Sequence, residues 1–332
     1  MTNQICVKCK TEKAEIFIKA ALCSNCFQTA IQTRIRTNIG KAQLPMGARM
    51  LIAFSGGPSS VALLYAMHHM LQGVKNNANF MHERFASVTV CHVDQSAVLK
   101  HAEDSIGSIR SIMDAYPDYE LDIVGLESAI AMDSQGTTLK EWFDKLQTPD
   151  AKIDALQSLT IQTLLVHARR LQCHAIMFGD NSSEIAIRVL SQTSKGRGIA
   201  IPTLVSDSSW HQDVFVCRPL RDTLRQEIDA FNSLSGIKSV DLPCLSETLP
   251  AKSSIERITR DFLKGLQTDF PFTACTVSRT ACKINTDLDS KRVCPICQGP
   301  TDIQPYGVCR GCTRLQLDPE AALPQFMKDF QS

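Results

Sequence analysis

The chain has 332 residues, of which 44% are hydrophobic and 21% charged, and its formal net charge is +1. This is the composition of a globular protein with ample core, and the balanced charge excludes a uniformly basic surface, so any nucleic-acid contact must come from local clusters. No apolar run approaches the roughly 20 residues that span a bilayer, and the first ten residues lack the apolar centre of a signal peptide, so we expect a cytoplasmic protein without a membrane partner.

The N-terminal region, residues 1–42, combines two Cys-x-x-Cys pairs with a basic helical pattern. The pairs are Cys6 with Cys9 and Cys23 with Cys26, and 13 residues separate them. The helical pattern "FQTAIQTRIRTNIGK" follows directly. We therefore predict a metal-binding element joined to a basic helix.

The central region, residues 46–284, alternates short apolar runs with helical periodicity. The predicted strands are "MLIAF", "FASVTVCHVD", "YELDIVGL", "HAIMFG" and "DVFVCRPL". Helices are predicted over 59–71, about 97–115, through "LQSLTIQTLLVHARRL", over 182–192, and after the last strand. Short apolar strands separated by helices indicate an α/β fold, with a parallel sheet covered by helices on both faces.

The C-terminal region, residues 285–332, carries the other two Cys-x-x-Cys pairs. They are Cys294 with Cys297 and Cys309 with Cys312, and 11 residues separate them. In a reducing compartment, clustered cysteines are more often metal ligands than disulfides. Four thiolates leave no open coordination position, so we predict two structural zinc sites of four cysteines each, one at each end. An iron–sulfur centre, and pairing of cysteines across the two ends, stay open.

A glycine turn follows the first predicted strand of the central region. In "LIAFSGGPSS" the strand breaks into Ser55, Gly56 and Gly57, and Ser59 and Ser60 lead into the next helix. Backbone N–H groups at a helix N-terminus bind phosphate oxygens, and glycines permit close approach. The run is neither a Walker loop nor Gly-x-Gly-x-x-Gly. It is either a phosphate cradle or a tight strand-to-helix turn without a ligand.

This turn resembles the Ser-Gly-Gly-x-Asp-Ser loop of the ATP pyrophosphatases of the PP-loop type. Further similar segments follow in order: "HVDQS", which contains Asp94; "FGDNSSEIAIRVL", which contains Gly179 and Asp180; "KGRG"; and "CRPLRD". With cysteine pairs at both ends, the chain resembles the cytoplasmic tRNA 2-thiolation protein 2 family over nearly its whole length. The resemblance implies a PP-loop, adenine nucleotide alpha hydrolase-like domain. It also implies a nucleotide site made of Ser55, Gly56, Gly57, Ser59, Ser60, Asp94, Gly179 and Asp180.

The resemblance further implies a function in tRNA modification. Such a chain is a required subunit for 2-thiolation of the wobble uridine (mcm5s2U34) of the lysine, glutamine and glutamate tRNAs. It acts as a heterodimer with the catalytic thiolation enzyme, which receives sulfur from a thiocarboxylated ubiquitin-like carrier.

Departures from the active relatives predict a degenerate subunit. Ser59 replaces the loop aspartate, and Asp180 replaces a histidine. Ser183 and Glu184 stand at two acidic positions, and Ile187 stands at a later glutamate. Active thiolases carry a Cys-x-x-Cys before the long central helix, where this chain reads "KIDALQSLTIQ". Thiol chemistry needs a thiolate, so catalysis by this chain is not expected, while ATP with magnesium stays open as a ligand.

Cys244 lies where active relatives have a further functional cysteine. We interpret it as a small buried apolar residue. The alternative is that the chain is itself an ATP-dependent tRNA-thiolating enzyme with Cys244 as sulfur carrier.

Six basic residues are candidate tRNA contacts, because Lys and Arg give sequence-independent phosphate affinity. They are Arg34, Arg36, Lys41, Lys195, Arg197 and Arg221. Solvated surface charge is the alternative for each of them. A third function, a zinc-ribbon adaptor for RNA or protein with the central fold as scaffold, also fits the sequence.

Overall fold

In the computed structural model of the chain, the residues that can be described are 4–75, 85–99, 105–129, 138–206, 208–211, 213–240, 242–284, 294, 299–301 and 307–314. The strands are β1 (Ile16–Phe17), β2 (Ala21–Leu22), β3 (Ala48–Ala53), β4 (Phe85–Asp94), β5 (Glu120–Gly125), β6 (Ala175–Phe178), β7 (Ser208–His211) and β8 (Val214–Cys217). The first two form a small antiparallel hairpin, and the other six form one sheet in the order β5-β4-β3-β6-β8-β7.

Helices in the described residues follow the strands closely. They are α1 (Ser24–Lys41), α2 (Pro58–Lys75), α3 (Ser105–Met113), α4 (Leu139–Lys145), α5 (Pro149–Arg170), α6 (Ser182–Ser194), α7 (Ile201–Val205), α8 (Arg225–Leu234), α9 (Leu245–Thr248), α10 (Ile255–Asp269), α11 (Thr273–Ala281) and α12 (Arg310–Arg314). Of the helix expected over about 97–115, residues 105–113 are helical and residues 97–98 belong to a turn, while residues 100–104 lie outside the described residues.

The predicted parallel α/β sheet is confirmed. Neighbouring strands from β5 to β8 pair in parallel, whereas β7 pairs antiparallel with β8 at the edge. Both faces of β3 are buried: Met50 and Ile52 pack with α2 and α8, and Leu51 packs on the opposite side with α5. A parallel strand buried on both faces needs a continuous apolar run rather than alternation, which explains "MLIAF".

The N-terminal metal element is packed onto the sheet domain by α1. Phe27, Ile31, Ile35 and Ile39, spaced one helical turn apart, join the core cluster formed by β3, α2 and α8. Glu227 of α8 is almost fully buried and forms ion pairs with Lys19 (2.6 Å) and Arg34 (3.1 Å). Helix α1 and the hairpin before it therefore share the core of the central domain.

Helices α10 and α11 form a further layer against α6. Leu263 of α10 and Ala274 of α11 are buried with Ala186 and Ile187 of α6. The sequence patterns had not singled out this layer. It covers the helix that follows β6 and therefore borders the candidate site.

Candidate nucleotide loop and metal centres

The glycine turn connects the end of β3 to the start of α2, at the carboxyl edge of the sheet. Gly56 has φ +77°, and a Cβ added there would lie 3.1 Å from Cγ1 of Ile109. The backbone N–H of Val240 donates to the Gly56 carbonyl at 2.9 Å. A left-handed backbone in a tight space needs glycine, so Gly56 is required for the shape of the turn, whether or not a ligand binds.

Hydrogen bonds of two serine hydroxyls stabilise the turn. The Ser55 Oγ accepts a hydrogen bond from the Gly57 N–H at 3.3 Å, and the Ser60 Oγ donates to the Gly57 carbonyl at 2.9 Å. The two hydroxyl oxygens are 3.3 Å apart. The loop is therefore held in a defined conformation by its own side chains.

The parallel pairing of β3 with β6 places Gly179 directly against the turn. A Cβ at Gly179 would lie 3.1 Å from the Ser59 carbonyl carbon and from Cα and N of Ser60. Asn181 caps α6, accepting from the N–H groups of Ser183 and Glu184, and donates from Nδ2 to the Ser59 Oγ at 2.9 Å. The structure thus brings the two distant motifs together. Asn181 was not predicted as part of the site, although an Asn before a predicted helix is an N-cap signal.

Asp94 ends β4, the strand next to β3 at the same carboxyl edge. Its Oδ1 accepts a hydrogen bond from the Ser96 N–H at 2.9 Å. The side chain is half-buried. Asp94 therefore stabilises a local turn at the position predicted to meet a nucleotide.

The contacts of Asp180 indicate a different role from the one predicted for it. It is 7% exposed, and its Oδ2 lies 2.6 Å from Nη1 of Arg188 and 3.3 Å from Nε of Arg218. Burial alone would raise the pKa of Asp180, but the two guanidinium groups outweigh burial and lower it. We therefore revise its assignment from nucleotide contact to buried ion pairing, because two cations already bind this carboxylate.

The positions of α6 that are acidic in active relatives face α10. Glu184 forms a bidentate ion pair with Arg260 at 2.7 and 3.0 Å, and the Ser183 Oγ accepts from Gln267 at 3.4 Å. Ile187 is buried in the α6–α10–α11 cluster. In this chain these positions hold two helices together.

Cys244 is exposed at the start of α9, so its interpretation as a buried apolar residue is wrong. Its Sγ lies 3.1 Å from the Ser246 Oγ, and that hydroxyl donates to Glu256 at 3.0 Å. Gln157, within the cysteine-free segment of α5, donates to the same carboxylate at 2.8 Å. Desolvation by the surrounding protein raises the pKa of Cys244 to about 11, so the group is a thiol at neutral pH.

The N-terminal quartet converges on one point. The Sγ atoms of Cys6, Cys9, Cys23 and Cys26 all lie within 4.8 Å of one another. The Thr11 hydroxyl and the backbone N–H groups of Glu12 and Thr11 lower the pKa of Cys9 to about 6. Four soft donors with backbone N–H groups directed at the sulfur are what a tetrahedral thiolate site requires, so these residues fit a structural metal.

At the C-terminal end three buried thiols, those of Cys294, Cys309 and Cys312, also lie within 4.8 Å of one another. The Cys309 N–H donates to Cys294 Sγ at 3.3 Å, and the Cys312 N–H donates to Cys309 Sγ at 3.4 Å. The fourth predicted ligand, Cys297, lies outside the described residues. Each cluster gathers cysteines from its own end of the chain, so pairing across the ends is excluded for the seven described cysteines.

Three of the six basic candidates are buried, which corrects their assignment as tRNA contacts. Lys195, Arg197 and Arg221 are 3%, 6% and 8% exposed. Lys195 and Arg197 bind Asp154 at 2.8 and 2.6 Å, and Arg221 donates to Cys282 Sγ at 2.8 Å. A buried cation paired with protein groups cannot reach a phosphate. The other three lie on α1: Arg34 is half-buried, paired with Glu227, whereas Arg36 and Lys41 are exposed.

None of the described helices is both long enough and apolar enough to cross a membrane.

Comparison with known proteins supports the resemblance drawn from the motifs. The family model for cytoplasmic tRNA 2-thiolation protein 2 matches residues 254–322. The protein of that name from Schizosaccharomyces pombe is 28% identical over 311 residues, which cover 89% of this chain and 82% of the relative. The protein of the same name from Homo sapiens is 28% identical, over 85% of this chain and 67% of its own length. The predicted similarity to this family is confirmed.

A solved structure shares the fold. The U34-tRNA thiolase NcsA from Methanococcus maripaludis, determined with its [4Fe-4S] cluster, superposes with a TM-score of 0.68 over 94% of this chain and 96% of its own. The sequences are 17% identical, so the comparison establishes the PP-loop-like architecture alone.

Proposed function

We propose that this chain is a non-catalytic subunit of a cytoplasmic tRNA 2-thiolation complex. One observation carries the proposal. The glycine turn resembles the phosphate-binding loop of the PP-loop enzymes, but Ser59 stands where the active enzymes have a carboxylate, and the Ser59 hydroxyl is hydrogen-bonded to Asn181. A hydroxyl carries no charge to balance a magnesium ion, which prefers carboxylate and phosphate oxygens. ATP turnover is therefore assigned to a partner.

The sulfur chemistry is assigned to the partner for a second reason. Persulfide formation and sulfur transfer need a thiolate, and the segment "KIDALQSLTIQ", which the resemblance places in the region where active thiolases have two cysteines, contains none. Cys244 is accessible, but its raised pKa keeps it protonated at neutral pH. A single thiol of this kind does not replace a pair.

The names of the relatives, which specify cytoplasmic tRNA 2-thiolation, support a tRNA substrate, and we propose the finer assignments from the family resemblance. The substrate is the wobble uridine of the lysine, glutamine and glutamate tRNAs, which becomes mcm5s2U34. The partner is the catalytic thiolation subunit in a heterodimer, served by a thiocarboxylated ubiquitin-like carrier. Arg36 and Lys41 supply phosphate contacts, and zinc fills both cysteine clusters.

The test is mass spectrometry of wobble uridines from cells that lack this protein, complemented with variants. We expect 2-thiouridine to be lost on deletion and fully restored both by the natural chain and by Cys244→Ala. Unchanged 2-thiouridine in the deletion strain would contradict the proposal and favour the adaptor function. Failure of a soluble Cys244→Ala chain to restore thiolation, together with ATP–pyrophosphate exchange by the purified natural chain, would show that the chain is itself the enzyme.

A further inference from the structure

The "KGRG" segment lies at the junction between the central domain and the C-terminal cysteine cluster. Arg197 extends its guanidinium group in two directions: Nη1 donates to Asp154 Oδ2 at 2.6 Å and to Gln192 Oε1 at 3.0 Å, and Nη2 donates to Cys312 Sγ at 3.3 Å. The planar fork of arginine can serve a carboxylate and a sulfur at once, which a lysine amine does less well.

The backbone of the cysteine cluster is packed closely on this side chain. A Cβ added at Gly311 would lie 2.5 Å from Cγ and 2.6 Å from Nε of Arg197, and 2.9 Å from the Lys195 carbonyl oxygen. Gly311 directly precedes Cys312, so the absence of a side chain there lets Arg197 approach the cysteine. This is a second contact, independent of the hydrogen bond, between the same two segments.

One buried and one half-buried acid balance the cations on the domain side. Lys195 Nζ lies 2.8 Å from Asp154 and 3.2 Å from Asp150, and the Asp150 carboxylate accepts from the Ile255 N–H at the start of α10. Two carboxylates and two cations therefore connect α5, the end of α6, the start of α10 and the cysteine cluster. Buried charges of this kind persist only when every one is partnered.

We propose that Arg197 is a positioning residue for the C-terminal metal site, an inference that rests on the proposed metal binding there. A thiolate that binds a metal carries negative charge, and a charged N–H donor orients it and stabilises that charge. Arg197 supplies this donor to Cys312 and anchors it to Asp154 inside the domain. Metal binding at the C-terminal cluster and the packing of the α5–α6 junction therefore support each other.

The experiment measures metal release from the purified full chain loaded with Zn²⁺, using a chromogenic chelator. Two release phases are expected, and Cys309→Ser, which removes a C-terminal ligand, identifies the C-terminal phase. Arg197→Lys keeps the positive charge opposite Asp154 but removes the second N–H donor that reaches Cys312. We expect metal release from the C-terminal cluster to accelerate about 10- to 100-fold, the usual effect of removing an outer-shell partner. The matched control is Arg221→Lys. Arg221 is also a buried arginine that donates to a cysteine, but that cysteine, Cys282, belongs to neither cluster. Both metal-release phases of the Arg221→Lys protein should therefore be unchanged.

A second readout separates positioning from general loosening of the fold. In the Co²⁺-loaded protein, the sulfur-to-cobalt charge-transfer band of the C-terminal site should shift in Arg197→Lys but not in Arg221→Lys. A folded Arg197→Lys protein with natural release kinetics and an unchanged cobalt spectrum would overturn the inference, as would a natural chain whose C-terminal cluster takes up neither metal. Wobble thiolation is not measured here, so a failure of the proposed tRNA function is detected separately.

Discussion

Replacing Asp180 with Asn tests whether this residue is structural, as its contacts indicate. The amide keeps the shape of the side chain but removes the charge, leaving Arg188 and Arg218 without their shared carboxylate. Removing one partner of a buried ion pair costs about 3–5 kcal/mol. Since 33% of the Arg188 side chain is exposed and water screens that side, we expect about 3–4 kcal/mol.

The expected shift in melting temperature follows from the size of the chain. An unfolding entropy of about 2.1 cal/mol/K per residue over 332 residues corresponds to about 0.7 kcal/mol/K. Asp180→Asn should therefore lower Tm by about 4–6 °C in differential scanning fluorimetry. The matched control is Asp229→Asn, which removes the exposed pair of Asp229 with Arg225 and should change Tm by less than about 1 °C, because exposed pairs contribute little.

The pH dependence gives an independent check. The pKa of Asp180 is lowered in the folded protein, so its contribution is complete above the unfolded-state pKa of about 3.9 and is lost as the pH falls through the lower folded-state value. The difference between the natural chain and Asp180→Asn should be constant from pH 5 to 8 and shrink only below about pH 4. Equal Tm values for the two proteins at pH 7 would refute the buried ion-pair argument.

Two further predictions concern Cys244 and the basic helix. The pKa of Cys244 is raised from 9.0 to about 11, which lowers its thiolate fraction at pH 7.5 about a hundredfold, whereas the more basic thiolate is about tenfold more nucleophilic. Its iodoacetamide labelling at pH 7.5, followed by peptide mass spectrometry, should therefore be about tenfold slower than that of an ordinary thiol and should keep rising up to about pH 11. A plateau near pH 9 would contradict this. The double variant Arg36→Ala with Lys41→Ala should weaken tRNA binding and reduce the slope of log K, the tRNA association constant, against log salt concentration by about 1–2. The control Lys140→Ala on α4 should leave this slope unchanged. An unaltered slope in the double variant would show that α1 does not contact tRNA.

The sequence by itself determined the features that depend on local spacing. The order of strands and helices follows from hydrophobic periodicity, which neighbouring residues establish on their own. The Cys-x-x-Cys pairs and the glycine turn are equally local, because a knuckle needs two cysteines a fixed distance apart and a left-handed backbone at Gly56 needs glycine. The structure gathers seven of the eight predicted cysteines into two clusters.

Only the tertiary structure decided which charges are available for function. Arg197 and Cys312 are 115 residues apart, and Asp180 and Arg218 are 38 apart, so no local pattern relates them. In the sequence, Lys195 and Arg197 form a basic, glycine-flanked segment, yet folding places them against the buried Asp154, the half-buried Asp150 and a cysteine. Desolvation makes an unpaired buried charge very costly, and each buried cation therefore takes the partner that the fold brings to it. That partner, rather than the residue type, determines whether an arginine contacts RNA or holds the protein together.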